Sequence, residues 1–177
     1  IDGMVIEASK RFLPTIASKL DDPKVTVYVE DAIEFIKNKK NCYDVVLIDS
    51  TDPMGPGEGL FTEEFYTNVK NSLKSGGIVV PQSESPFANV VEMGKMYKLL
   101  RKVFKNVAPY CGPIPTYPGG YWSWAFCSDE VDVPHCHKKV DQERADEISK
   151  LCKLYNTRMQ TAVFDVPNFV KEIAFGE

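Results

Sequence analysis

A run of four branched apolar residues, Val45 to Ile48, constrains the fold of this chain most strongly. Such a run is typical of a strand that is covered on both faces, as in a parallel sheet flanked by helices. Two carboxylates, Asp49 and Asp52, follow the run, and a segment rich in Gly and Pro comes next. Ligands of such sheets bind beyond the carboxyl ends of the strands, so we expect a functional site here. The alternative is that Asp49 only caps a turn, since Asp is a common turn former.

Helix and strand patterns alternate along the first hundred residues. Thr62 is expected to cap a helix whose buried stripe contains Phe65, Val69 and Leu73, with the helix ending at the glycine pair 76–77. Apolar spacing predicts further helices over 4–13, 32–37 and 89–104, and further strands over 25–29 and 78–82. This order of elements predicts an open α/β sheet.

The next part of the chain predicts an antiparallel hairpin. Residues 106–111 and 121–127 both have strand patterns, and only nine residues, 112–120, separate them. A parallel pair needs a crossover of about a dozen or more residues, so these strands should be antiparallel. Within the second strand, Trp122, Trp124 and Phe126 alternate at strand period with Tyr121, Ser123 and Ala125, which favours one core face over a stacking platform for bases. Two more helices are expected near 141–155 and 167–174.

Three segments of the chain resemble signature segments of the spermidine synthases, the polyamine aminopropyltransferases. They are Asp-Ser-Thr-Asp-Pro-Met-Gly-Pro at 49–56, Pro-Gln-Ser-Glu-Ser at 81–85 and Pro-Thr-Tyr-Pro-Gly-Gly at 115–120. The opening residues 1–10 also resemble the family's segment just after its ribose-binding acid. The resemblance implies a Rossmann-like, methyltransferase-type sheet, mostly parallel with a C-terminal antiparallel hairpin.

The same resemblance implies family parts that these 177 residues do not contain. They are a small β-domain, a tyrosine-bearing substrate loop, the N-terminal strands, a glycine-rich cofactor loop and the ribose acid. We therefore expect 1–177 to be the C-terminal part of an aminopropyltransferase catalytic domain, with the missing N-terminal half as its partner and no activity alone. Whether it is a processed fragment, a truncated protein or half of a split protein stays open.

The activity that the resemblance implies is spermidine synthesis. An aminopropyl group would pass from decarboxylated S-adenosylmethionine, a co-substrate rather than a bound cofactor, to putrescine, giving spermidine and methylthioadenosine. The alternatives are a spermine or thermospermine synthase, a putrescine N-methyltransferase, or a noncatalytic fragment or partner-binding subunit. Family members are usually homodimers or larger.

Asp49 is the candidate catalytic residue. The attacking amine is protonated at neutral pH, with a pKa near 10 in solution, so a group must accept its proton and direct its lone pair. A carboxylate at a strand end can do both, and Asp49 matches the family's catalytic aspartate. Asp52 would hold the other ammonium of the diamine by a charge-assisted hydrogen bond, with help from Glu84.

The full putrescine-binding set implied by the resemblance contains seven residues: Asp49, Ser50, Thr51, Asp52, Gln82, Glu84 and Tyr117. Tyr117 matches a tyrosine that lines the diamine channel, although tyrosines with one wet end are also common as packed walls of clefts.

The nucleotide side is expected to use Asp31 and Ala32 at the adenine, with Pro56 and Asp49 near the thioadenosine. Family members often have Gly where this chain has Ala32, so the backbone would approach the nucleotide slightly less closely. For Pro56, a role as a turn residue only is nearly as reasonable.

Composition limits the remaining possibilities. With 44% hydrophobic residues, the chain can bury the core of one domain. The net charge of −4 argues against nucleic-acid binding and mildly suits a cationic substrate. No apolar run approaches the roughly 20 residues that span a bilayer, so a cytoplasmic location is expected.

The cysteines and histidines give no sign of a metal site. The five cysteines are scattered without a disulfide framework and are expected to be reduced thiols. His135, Cys136 and His137 are adjacent and lack a second Cys/His cluster, so a solvated loop is favoured over a tetrahedral metal site.

Overall fold

Helices and strands alternate in the computed structural model, which describes residues 2–53, 55–117, 119–133 and 141–176, apart from the side chain of Pro56. Within these ranges, two helices precede α3 (Ala32–Lys37) and three helices follow the last strand. The elements are α1 (Gly3–Phe12), α2 (Pro14–Ala17), α3 (Ala32–Lys37), β1 (Tyr43–Ile48), a 3₁₀ helix (Gly55–Phe61), α4 (Glu63–Ser72), β2 (Leu73–Pro81), α5 (Val90–Val103), β3 (Asn106–Pro113), β4 (Tyr121–Ser128), α6 (Gln142–Leu151), α7 (Met159–Ala162) and α8 (Asn168–Phe175).

The described strands form one sheet in the order β1-β2-β4-β3. β1 and β2 are parallel, whereas β4 is antiparallel to both β2 and β3. The hairpin predicted from the nine-residue separation is confirmed, with Asn106 opposite Ser128 and Pro113 opposite Tyr121. β4 therefore lies in the interior of the sheet, and the loop between β3 and β4 lies at the same edge as the carboxyl ends of β1 and β2.

The junction between α4 and β2 differs from the prediction. The cap is confirmed, because the Thr62 hydroxyl accepts from the Phe65 amide at 3.1 Å. However, the helix ends at Ser72, and Leu73 already pairs with Tyr43 of β1. The ladder then becomes irregular and resumes where Val45 meets Ile78. Gly76, at φ +71°, allows this irregularity because glycine adopts a left-handed conformation at little cost.

The strand predicted over 25–29 is wrong. This segment has no strand conformation, and Val25, Val27 and Val29 are 42–48% exposed. A strand needs a hydrogen-bonded neighbour, and no segment within the described ranges pairs with these residues. Tyr28 instead packs on Phe35 of α3, with ring centroids 5.1 Å apart.

The core lies where α4, α5 and α8 pack with the sheet. Its large side chains are completely buried, and each such burial contributes about 1.5–3 kcal/mol. They include Tyr66, Val69, Met93, Tyr97, Leu100 and Val170, which cluster with Val79, Ala125 and Cys127 of the strands. The helical stripe predicted for α4 is thus confirmed for Phe65 and Val69, which are 4% and 1% exposed.

The buried face of β4 is the opposite of the expected one. Ser123, Ala125 and Cys127 are completely buried, whereas Trp122 and Trp124 are half-buried. The reason is that the helix side chains of the core pack against the small residues of β4. The aromatic residues lie on the other face of β4, where the Tyr110 ring stacks on Trp124 with centroids 5.5 Å apart. Trp122 and Trp124 also line a cavity there.

Several apolar side chains near the start of the sheet are exposed. Val45 and Leu47 of β1 are 52% and 74% exposed, so β1 is not covered on both faces by the described residues. Met4 and Phe12 of α1 are also exposed, at 77% and 68%. None of the helices in the described ranges combines the length and apolarity needed to cross a bilayer.

Candidate active site

The carboxyl ends of β1 and β2 bring two predicted segments together. Ile48 is opposite Pro81 in the parallel ladder, and the Gln82 amide donates to the Ile48 carbonyl at 2.9 Å. Asp49, the first residue after β1, therefore lies next to Gln82, the first residue after β2. Asp49 and Asp52 are exposed, and neither carboxylate has a hydrogen bond or ion pair with a described residue. Both are therefore free to accept from a ligand.

Gln82 organises the end of β2. Its side-chain amide donates to Glu84 Oε1 at 3.1 Å, and its Oε1 accepts from the Glu84 backbone N–H at 3.0 Å. The Trp122 indole N–H also donates to Gln82 Oε1, at 3.1 Å. The Gln82 side chain is thus fixed by β4 and in turn fixes one carboxylate oxygen of Glu84.

Glu84 is a buried acid with one oxygen left unpaired. The residue is 1% exposed, and its Oε2 has no hydrogen-bond partner among the described residues. Burial raises the pKa of the Glu84 carboxyl, as do the charges of Asp52 and Glu92, while the hydrogen bond from Gln82 opposes the rise. A buried carboxylate of this kind is costly unless a cation or donor meets it. The site is therefore arranged to accept one.

A cavity of about 340 Å³, here called the hairpin cavity, lies between the β1 and β2 ends and the β3–β4 hairpin. Tyr117 of the hairpin loop stacks on Trp122, with ring centroids 4.6 Å apart. The lining residues are Leu47, Ile48, Asp49, Ser50, Asp52, Val80, Gln82, Tyr110, Ile114, Tyr117, Trp122 and Trp124. The cavity therefore has carboxylates at one side and aromatic walls at the other.

A second cavity, the helix cavity, has a volume of about 610 Å³. Asp52 lines both this cavity and the hairpin cavity, whereas Glu84 lines the helix cavity and not the hairpin cavity. Its other lining residues are Pro53, Phe61, Asn89, Glu92, Lys95, Met96 and Leu99. Asp52 thus lies where the two cavities adjoin, and Glu84, whose Oε2 is unpaired, lines the helix cavity next to it.

A third cavity, the edge cavity, has a volume of about 570 Å³ and lies beside β1. Asp49 and Ser50 line both this cavity and the hairpin cavity, and Ala32 also lines it. The other lining residues are Thr26, Tyr28, Phe35, Ile36, Tyr43, Val45, Val46, Leu47, Ile48, Leu60, Phe65 and Val69. Its walls are mostly aromatic and aliphatic, which suits a flat ring system.

Three predicted site residues are placed less directly. The Asp31 carboxylate accepts from the Ile33 amide at 2.8 Å and so caps α3, and Asp31 lines none of these three cavities. Thr51 is exposed and also lines none of them. The side chain of Pro56 lies outside the described part of the chain, as do His135, Cys136 and His137.

The segment after Asp49 folds back closely on itself. A Cβ atom on Gly57 would lie 2.7 Å from Thr51 Oγ1 and 2.8 Å from the Asp52 carbonyl oxygen. Only glycine fits at such a distance, so the first turn of the 3₁₀ helix supports the backbone of Asp52.

Two cavity residues, Trp122 and Trp124, were assigned to the core from the sequence. The alternating pattern correctly placed them on one face of a strand, but it does not say which face the helices cover. The small residues Ser123, Ala125 and Cys127 were the available signal, since only small side chains let a large Tyr97 pack directly on the sheet.

Comparison with known proteins identifies close relatives. Residues 1–139 match the family model described as the spermine/spermidine synthase domain. A polyamine aminopropyltransferase of Alkaliphilus metalliredigens is 43% identical over 176 residues, covering 97% of this chain and 60% of the relative. The chain thus spans about 60% of the length of such curated relatives, in their C-terminal portion.

Solved structures agree in fold. A spermidine synthase in complex with the transition-state analogue AdoDATO matches with a TM-score of 0.91 and 37% identity, covering 100% of this chain and 60% of that one. Spermidine synthase of Thermotoga maritima matches with a TM-score of 0.89 and 36% identity, covering 100% and 59%. The predicted Rossmann-like, methyltransferase-type α/β fold is confirmed.

Proposed function

Since this chain belongs to the spermine/spermidine synthase family, we propose that it carries the acceptor site and the catalytic aspartate of a polyamine aminopropyltransferase. The reaction transfers an aminopropyl group from decarboxylated S-adenosylmethionine to putrescine. The amine nitrogen bonds to the carbon next to the sulfonium, and the carbon–sulfur bond breaks with its electron pair left on sulfur. The products are spermidine, methylthioadenosine and the proton lost by the amine.

The single observation that carries this proposal is the position of Asp49. Asp49 lines both the hairpin cavity and the edge cavity. Its carboxylate can therefore reach an amine substrate in the hairpin cavity and the aminopropyl donor in the edge cavity. An amine held against Asp49 donates a hydrogen bond to it, keeps its lone pair directed away from the carboxylate, and can lose a proton to it. Asp49 is therefore the base and the aiming group.

The second ammonium of the diamine is assigned to Asp52 and Glu84. Asp52 is free of partners among the described residues and lies where the hairpin and helix cavities adjoin. The unpaired Oε2 of Glu84 supplies a second, buried acceptor. Tyr117 and Trp122 offer aromatic surface to the methylene chain between the two nitrogens. Ser50 and Gln82 complete the wall, and Thr51 supports the loop.

The aminopropyl donor, decarboxylated S-adenosylmethionine, is assigned to the edge cavity. Ala32 and Asp49 line it, and Tyr28 and Phe35 provide ring surface on which adenine can pack. Asp31 and Pro56 are proposed to contact the nucleotide as well. The methylthioadenosine part is then held next to β1, with its sulfur toward Asp49.

The test uses the complete enzyme, meaning this chain together with the N-terminal segment that its relatives carry. It is incubated with putrescine and either decarboxylated or intact S-adenosylmethionine, and the products are quantified by mass spectrometry. We expect spermidine and methylthioadenosine in equal amounts from the decarboxylated donor only, and no product from the 177-residue chain alone. Methylated putrescine from the intact donor would instead identify a methyltransferase, and no product from either donor would contradict the proposal.

A further inference from the structure

Glu84 has an unusual backbone conformation for its residue type. Its φ is +75°, and among the described residues other than glycine only Asn41 shares a positive φ. Asn tolerates the left-handed region because its short side chain bonds locally, whereas Glu rarely adopts it. Surrounding contacts must therefore hold Glu84 in place.

Those contacts come from Ser123 on β4. The Glu84 carbonyl accepts from the Ser123 backbone N–H at 3.1 Å and from the Ser123 hydroxyl at 2.7 Å. The Ser83 amide donates to the Ser123 carbonyl at 2.9 Å, which closes the pairing on the other side. One residue of β4 thus clamps the peptide that follows Glu84.

A chain of buried hydroxyls supports the clamp. Ser123 Oγ lies 2.8 Å from Ser83 Oγ, which lies 3.0 Å from the Tyr97 hydroxyl. Tyr97 donates to the Trp124 carbonyl at 3.0 Å, and all three hydroxyl-bearing residues are completely buried. Each hydroxyl has one hydrogen to give. With the hydrogens of Tyr97 and Ser123 directed to carbonyls, the single hydrogen of Ser83 can be donated to either of these two neighbours.

The side chain of Glu84 is fixed independently. Gln82 donates to its Oε1 and accepts from its backbone N–H, at 3.1 Å and 3.0 Å. With the carbonyl held by Ser123 as well, the only free polar atom of the residue is Oε2. The orientation of Oε2 is therefore set before any ligand arrives, which is the condition for strong recognition.

We infer that Ser123 is a positioning residue for acceptor binding: its hydroxyl, supported by Ser83 and Tyr97, holds Glu84 in the left-handed conformation that presents Oε2 to the acceptor's distal ammonium. This inference rests on the proposed function for the identity of the cation. The Ser123 hydroxyl touches no ligand and acts only through Glu84. Its loss should therefore affect acceptor affinity and leave the chemical step nearly unchanged.

The test is a double-mutant cycle in the complete enzyme, with steady-state kinetics for putrescine. Ser123→Ala is expected to raise the KM for putrescine about tenfold with kcat within about twofold, the pattern of lost ground-state binding. Glu84→Gln should raise the KM at least as much. In the Glu84→Gln background, Ser123→Ala should add no further increase, since the two residues act as one unit.

Ser128→Ala is the matched control. Ser128 is also completely buried on β4, and its hydroxyl donates to the Gly77 carbonyl at 2.9 Å, at the opposite end of the strand. Its loss should lower the melting temperature without changing the KM. Tyr97→Phe removes only a hydroxyl from the same network, and it should reproduce the KM effect in smaller degree even if Ser123→Ala proves too unstable to assay.

The outcomes separate the two claims. If Glu84→Gln raises the KM but Ser123→Ala and Tyr97→Phe leave it unchanged, the positioning inference is wrong while the acceptor site stands. It is also wrong if Ser123→Ala has the same effect with and without Glu84→Gln, or if Ser128→Ala raises the KM equally. If Glu84→Gln itself leaves the KM unchanged, the assignment of the distal ammonium to Glu84 fails, and this inference fails with it.

Discussion

At the scale of single residues, the three acids of the site differ in environment, and this difference matches different tasks. Asp49 and Asp52 are exposed on the segment after β1, so ligands reach them directly. Glu84 is buried, held by Gln82 and lacking a partner for one oxygen. A buried, preorganised carboxylate binds a cation more strongly than an exposed one because it loses less water on binding. Its ionisation, however, lowers the stability of the empty protein.

The stability of the empty enzyme should reveal this effect through Glu84→Gln. Because the folded-state pKa of Glu84 is raised from 4.5, its stabilising contribution is present below pH 4.5 and is lost as the pH rises through the folded pKa. At pH 7.5, above the unfolded-state pKa, the raised pKa therefore disfavours the folded state. Melting temperatures of the ligand-free complete enzyme from pH 4 to pH 8 should show Glu84→Gln more stable than wild type at pH 7.5, with the difference vanishing near pH 4.

The exposed Glu143 of α6 provides the control for this experiment. Glu143→Gln should follow the wild-type profile over the whole pH range. A Glu84→Gln enzyme that melts below wild type at pH 7.5 would show that the carboxylate is satisfied in the empty protein, contrary to the unpaired Oε2 described above.

At the scale of elements, the segment between β1 and α4 links loop geometry to the position of Asp52. The 3₁₀ helix Gly55–Phe61 packs against the residues that precede it, and Gly57 allows the close approach to Thr51 and Asp52. The sequence predicted a Gly- and Pro-rich loop, yet it could not show that one glycine supports the backbone of a site residue. That contact depends on how the segment folds back, which no local pattern encodes.

Gly57→Ala should therefore weaken acceptor binding. The added methyl group would displace the Asp52 peptide, and misplacing a binding group by about 1 Å can reduce function by up to about 10²-fold. We expect the KM for putrescine to rise about 10- to 100-fold in the complete enzyme. Gly94→Ala in α5 is the control, because its new Cβ would meet an atom no closer than 3.5 Å. An unchanged KM in Gly57→Ala would mean that Asp52 does not depend on this contact.

At the scale of the whole molecule, the sequence correctly predicted the strands that pair with one another in the described sheet. The antiparallel hairpin followed from its nine-residue connection, and β1 and β2 followed from their apolar runs. The strand over 25–29 failed because a valine pattern reports burial potential and not the presence of a hydrogen-bonded neighbour. The face of β4 failed because alternation alone does not decide which side the helices cover.

The exposed apolar side chains of β1 and α1 indicate in which form of the protein activity is expected. Val45 and Leu47 of β1 and Met4 and Phe12 of α1 are all more than half exposed. Exposed apolar clusters and open strand edges are typical of surfaces that another segment covers. This is why the activity proposed above is assigned to the complete enzyme and not to the 177 residues alone.

The central claim is that Asp49 serves the reacting amine while Asp52 holds the distal ammonium, and steady-state kinetics of their Asn variants in the complete enzyme test it most directly. Asp49→Asn should lower mainly kcat, by about 10²- to 10⁴-fold, as for a lost general base. Asp52→Asn should chiefly raise the KM for putrescine. Asp44→Asn, which removes a surface carboxylate of β1 that pairs with Lys74 at 2.7 Å, should change neither. Equal losses of kcat in both site variants, with the KM unchanged, would contradict this division of roles.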